Sequence, residues 1–122
     1  MSYDRTVWFE VGGNKHALCF THRALRAMQE QHGWKTVVDL HQALKEPIGL
    51  EGLLHAGLEG HCRLETPGAR VPVSVAVEIL DALPVAKVRD LVDEALVLAF
   101  LGPKVEAEEK GSDGEAGKAT PG

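Results

Sequence analysis

The chain predicts a small α+β domain that is mainly helical: an N-terminal β-hairpin, four to five short helices, and a disordered C-terminal tail. Three observations carry this. Two short runs rich in β-branched and aromatic residues, Thr6-Val-Trp-Phe-Glu-Val11 and Lys15-His-Ala-Leu-Cys-Phe20, flank Gly12-Gly13-Asn14, which is a hairpin signal. Apolar residues then recur at helical spacing as far as Leu101. Beyond Gly102 the composition shifts to Glu, Lys, Gly, Ala, Ser and Pro, with Val105 the only larger aliphatic residue. Such a segment cannot bury enough apolar surface to offset chain entropy, so 103–122 is predicted to be disordered and 1–102 to form one domain.

The hairpin spans 6–20. A two-residue turn at Gly12-Gly13 or Gly13-Asn14 places Val7, Phe9, Val11, His16, Leu18 and Phe20 on one face. Trp8, Glu10, Lys15, Ala17 and Cys19 fall on the other. A three-residue loop would set Lys15, Ala17 and Cys19 beside Val7 and Phe9, a poorer core. Trp8 has two readings: a later helix covers it, or it is a contact site, since an exposed aromatic beside an unpaired strand edge invites association.

Thr21 is a suitable N-cap and Gly33 a suitable stop for a first helix over 21–32, with Leu25, Met28 and His32 inward beside Ala24. Trp34 can fold back past that stop. A second helix over 36–45 turns Val37, Leu40, His41 and Leu44 inward and ends before Pro47. A third starts at Pro47 and reaches about Leu58, with Leu50, Leu53, Leu54 and Leu58 inward and Ile48 at its start. Its glycines 49, 52 and 57 mark either close packing between helices or a short helix. Residues 60–72 hold Gly60, Pro67, Gly68 and Pro72 without a sustained period and read as a connector. A fourth helix covers 74–83, with Val77 and Leu80 inward, sometimes joined by Val73 or Ala76, and Glu78 and Asp81 in water. The fifth, 85–101, has a stripe of Val85, Val88, Leu91, Val92, Ala95, Leu96 and Ala99 opposite Lys87, Arg89, Asp90, Asp93 and Glu94.

A formal net charge of −5 argues against a nucleic-acid partner, which needs a basic face. No apolar run approaches the ~20 residues of a bilayer span, and the N-terminus lacks a signal-peptide layout. No membrane partner and a cytoplasmic location are therefore expected. Two cysteines are too few for a disulfide framework. His16, Cys19, His22, His55, His61 and Cys62 are enough in number for a zinc site but lack the tight paired spacings of structural zinc modules. Ser occurs only at positions 2, 74 and 112, and no catalytic triad can be inferred. No enzyme activity, metal or cofactor is expected.

The layout as a whole resembles a known family. Leu18-Cys19-Phe20 leads into Thr21-His22-Arg23-Ala24-Leu25-Arg26-Ala27-Met28-Gln29-Glu30-Gln31-His32-Gly33-Trp34; then come Leu53-Leu54-His55-Ala56-Gly57-Leu58, a Pro-bearing connector, and two closing helices. This is similar to the tail assembly chaperones of long-tailed phages and of the related gene-transfer-agent particles. There a strand pair leads to a helix ending in Gly, and a Leu-Leu-x-Ala-Gly-Leu element precedes a loop and two closing helices. The resemblance implies a protein that coats the tape measure protein, brings tail tube protein to it, and is absent from the finished particle. Family members often occur in a short form and a longer frameshifted form. The implied contacts, including self-association, are assigned to the Trp8 face of the hairpin (Trp8, Ala17, Cys19) and to the wet side of the last helix (Arg89, Asp93). Two other classes stay open: a different phage adaptor, such as a head–tail connector, and a metal-dependent enzyme using the histidines and cysteines.

Overall fold

The computed structural model describes residues 4–102. In chain order these form β1 (Val7–Val11), β2 (Asn14–Leu18), α1 (His22–His32), α2 (Val37–Ala43), α3 (Pro47–Glu65), α4 (Val73–Ala82) and α5 (Val85–Leu101). The expectation for 103–122 lies outside the described residues.

The hairpin turns at Gly12-Gly13, pairing Val11 with Asn14 and Val7 with Leu18. Both glycines have positive φ, 57° and 83°, as a primed two-residue turn demands. Val7, Phe9, Leu18 and Phe20 enter the core from one face. Thr21 caps α1 by accepting the Ala24 N–H at 3.1 Å, and Gly33 ends it at φ 75° with its N–H on the Gln29 carbonyl. A capping box opens α2: Thr36 Oγ1 accepts the Asp39 N–H, while Asp39 accepts the Thr36 N–H in return. The backbone N–H groups of Lys35 and Thr36 hold the Asp39 carboxyl below its ordinary value.

Helix α3 is the centre of the molecule. It packs against β2, α1, α2, α4 and α5, and its Leu50, Leu53 and Leu54 have essentially no exposed surface. The Cys19 N–H donates to the Gly57 carbonyl at 3.0 Å, stitching the end of the hairpin to the helix. Gly49, Gly57 and Gly60 are all buried in α3, so the glycines mark close packing.

Several expectations are corrected. The third helix runs seven residues past Leu58, taking in the first part of the supposed connector. Because α3 is covered on several sides, it shows no single apolar stripe to reveal its length. Ile48 is 84% exposed, and Val37 of α2 is 64% exposed. His41 is exposed as well, while Ala43 is buried beside Leu40 and Leu44. Helix α4 presents Ala76 and Ile79 to the core, leaving Val77 and Val73 outward. Val85 is half exposed at the start of α5. His32 is exposed and stacks on Trp34 instead of entering the core, with ring centroids 4.2 Å apart. Burial, followed by the charge of His55, pushes its imidazole pKa down.

Candidate functional site

The five residues assigned to partner contact are not brought together. Trp8 is 54% exposed; its ring meets His61 of α3 edge-on at 5.0 Å, so the extended helix covers one side of it and leaves the other open. Lys15 Nζ lies 5.9 Å from the same ring. Ala17 and Cys19 share the Trp8 face by alternation but are buried, because the glycines of α3 let that helix close over the end of β2. They cannot be reached by a partner. Burial pushes the Cys19 thiol up, outweighing a Thr6 hydrogen bond and the charge of Arg5, as befits an inert core thiol. Arg89 is tied down: its Nε donates to the Leu44 carbonyl at 3.0 Å, satisfying an end-of-helix acceptor of α2. Asp93 is exposed and borders the groove described next.

That groove lies between α2 and α5. Val37, Leu40, Leu44, Leu96, Val97, Phe100 and Leu101 give it an apolar lining, His41 and Asp93 border it, and its volume is about 200 Å³. A wider groove of about 510 Å³ adjoins it between α1 and α2, sharing Val37, Leu40 and Phe100 and adding Leu25, Met28 and Trp34. Phe100 is 47% exposed and Leu101 80%. Large apolar side chains left in water along adjoining grooves make this surface the candidate for an interaction site. Neither Val37 nor Phe100 stood out in the sequence: Val37 was placed inward by its spacing, and Phe100 falls outside the stripe of the last helix.

A second feature missed in the sequence is a buried carboxylate. Glu59, 8% exposed, sits on α3. Its Oε2 accepts from Arg70 Nε at 2.9 Å and from the Val71 N–H at 3.1 Å; Arg63 Nη2 reaches Oε1 at 3.4 Å. His55 Nε2 lies 3.6 Å from Oε2 and donates to the Val71 carbonyl at 2.6 Å. Burial raises the Glu59 carboxyl, but the Arg70 and Val71 hydrogen bonds, with the charges of His55 and Arg70, outweigh it and hold the group below its ordinary value. The network fastens the α3–α4 connection to α3. A depressed folded pKa contributes stability that is present above the ordinary carboxyl value of 4.5 and lost as the pH falls through the folded one. Glu59→Gln is therefore expected to cost about 2 kcal/mol near neutrality, with the gap to the parent chain narrowing below pH 4.5. Urea melts across the acid range check both.

The histidines and cysteines are dispersed. Among the described residues no three His, Cys, Asp or Glu side chains gather to hold a metal ion. His16 tilts against Phe9, His22 borders the wider groove, and His55 and His61 are engaged as above. No helix among the described residues is long and apolar enough to cross a membrane. No family model, curated protein or solved structure matches the chain.

Proposed function

We propose that the protein is a tail assembly chaperone: it holds an apolar helix of the tape measure protein in the α2–α5 groove and brings tail tube subunits to it. The observation that supports this reading best is the groove itself. A slot walled by two helices, apolar inside and bordered by His41 and Asp93, suits a helix presenting side chains at i, i+3, i+4 and i+7. A long helical client needs its apolar surface covered until the tube forms around it. One small groove binds weakly, which permits displacement, and contacts between neighbouring copies raise avidity along the client. The Trp8 surface, formed by different elements, is left for a neighbouring copy or a tube subunit. The work is done in the host cytoplasm, and the protein leaves before the particle is complete.

Phe100→Asp places a charge where the client helix would lie. It is expected to weaken client capture at least tenfold, about 1.4 kcal/mol or more, while a half-exposed position keeps the stability change within about 1 kcal/mol. The check is a pull-down of parent and variant chains from cells expressing the surrounding gene cluster, with partners identified by mass spectrometry. Recovery of a very long helical protein and a tube subunit by the parent alone supports the proposal. Recovery of capsid or connector proteins alone moves the chain to the adaptor class. Trp8→Glu, by contrast, is expected to reduce self-association or tube binding and to shift stability by no more than about 1 kcal/mol. Sedimentation and thermal melts separate the two effects, and a large stability loss would make Trp8 a core residue.

A further inference from the structure

We propose that the outer edge of β1 pairs antiparallel with β1 of a second copy, joining two hairpins into one continuous sheet. The geometry starts from the turn. Gly12-Gly13 is closed by the Val11–Asn14 pair, and the closing pair of a primed two-residue turn exchanges both its hydrogen bonds. Hydrogen-bonded pairs alternate along the ladder, so Val7 and Phe9 also turn their backbone groups toward β2, and the N–H and C=O groups of Trp8 and Glu10 point away from it. No hydrogen bond among the described residues reaches those outward groups. Just upstream the edge is closed, because the outward Thr6 N–H donates to Asp4 Oδ1 at 2.9 Å. The other side of the hairpin is taken: α3 packs along β2, the Cys19 N–H donates to the Gly57 carbonyl, and Ala17 and Cys19 are buried. The β1 side lacks the devices that keep an edge from pairing. Val7-Trp8-Phe9-Glu10-Val11 holds no Pro and no Lys, and its register against β2 runs without a bulge.

A second copy suits this edge because the strand is complementary to itself. The register centred on Phe9 matches β1 over its whole length: Val7 opposes Val11 of the other copy, Phe9 opposes Phe9, and each Trp8 opposes a Glu10 through outward backbone groups. A register centred on Trp8 would need the Thr6 N–H that Asp4 already holds. Charge agrees with the first. Lys15 stands opposite Glu10 in the hairpin, yet its Nζ leans to 5.9 Å from the Trp8 ring, toward the row that the second copy's Glu10 enters. Each Trp8 ring then sits between Lys15 of its own chain and Glu10 of the other, and no like charges stand directly opposite. The two Trp8 residues are diagonal neighbours, about 7–8 Å apart and within aromatic reach. Because α3 blocks β2, pairing stops at a two-fold dimer and does not run on into a fibre. Five-residue strands bury less than the roughly 1,200 Å² of a stable interface, so the dimer is weak and reversible. The pairing stands on the hairpin alone; that it brings two grooves to one client rests on the client reading above.

The test follows the full chain from about 10 μM to about 1 mM, the range of a weak edge contact, by sedimentation and by amide hydrogen exchange. The expected result is a monomer–dimer transition in which the Trp8 and Glu10 amides, open to water in the monomer, gain about tenfold protection as concentration rises. In a mixture of isotope-labelled and unlabelled chains, an intermolecular contact between Phe9 α-protons fixes the register, since an opposed pair without mutual hydrogen bonds brings its Cα atoms closest. Glu10→Pro deletes an outward N–H and no bond of the hairpin ladder, so it should raise the dissociation constant about tenfold with little change in the thermal melt. Should that variant not fold, Glu10→Lys should weaken pairing and the added Lys15→Glu should restore it. A chain that stays monomeric at the top of the range overturns the proposal. So does association that leaves the Trp8 and Glu10 amides exchanging freely, which would put the second copy elsewhere. Protection that arrives only on adding a tube subunit would assign the edge to that chain and overturn it too. None of these outcomes alters client capture by the groove that Phe100→Asp probes, so the two readings fail separately.

Discussion

Replacing Gly60 by alanine is expected to cost about 3 kcal/mol of folding stability, against a helix-propensity gain of about 1 kcal/mol for the same change. A β-carbon at this position would run into the carbonyl oxygen of Cys19, with the carbonyl carbon only 3.2 Å away and the Ala24 methyl at 3.3 Å. The obstacle is backbone at the junction of β2 and α1, so relief requires moving the hairpin off α3. Gly57→Ala makes the natural comparison. Its β-carbon would meet Leu18 Cδ2 at 3.0 Å and Phe20 Cζ at 3.1 Å, both at side-chain tips that can give way. The expected order of stability is parent, then Gly57→Ala, then Gly60→Ala. Urea denaturation of the three chains checks it, and a neutral or stabilising Gly60→Ala would refute the close approach of α3 to the hairpin.

Phe20→Ala is expected to lose about 4 kcal/mol. Phe20 is fully buried, and its ring lies against the face of α3 that Gly57 leaves bare. A domain of this size has roughly 5–15 kcal/mol in total, so the variant should retain little native population on modest warming. Leu18, which meets the same bare face of α3, is itself fully enclosed, so its side chain can shift slightly but cannot fill a gap the size of a phenyl ring without leaving its own packing. Thermal melts by far-ultraviolet circular dichroism provide the measurement. A loss below about 1 kcal/mol would mean that the site collapses freely.

What the sequence made legible follows the range of the forces involved. The Gly12-Gly13 turn, the Thr21 cap and the Gly33 stop are local and were read from neighbouring residues. The stripe of α5 was legible in its middle because one face of that helix is wet from end to end. The last two turns of α3 were not, because Gly60 and Glu59 look like breaker and surface residues until the hairpin and the Arg70 region are brought against them. The burial of Ala17 and Cys19 has the same origin: alternation assigns them to a face but says nothing of what closes over it. Nor could the spacing of α2 show that Val37 borders an open groove, since that depends on where α5 ends.

The position of α3 in the middle of the chain bears on how the molecule comes apart. Every other helix and β2 rest on it, whereas most other pairs of elements barely meet. Neither the hairpin with α1 nor the α4–α5 pair therefore owns a core of its own. Opening either side strips the shared helix, so partial unfolding brings little relief and the amides of the first and last elements should exchange with solvent through one common event. On the ribosome the same dependence imposes an order: the hairpin waits until Glu65 has emerged before it has a surface to settle on.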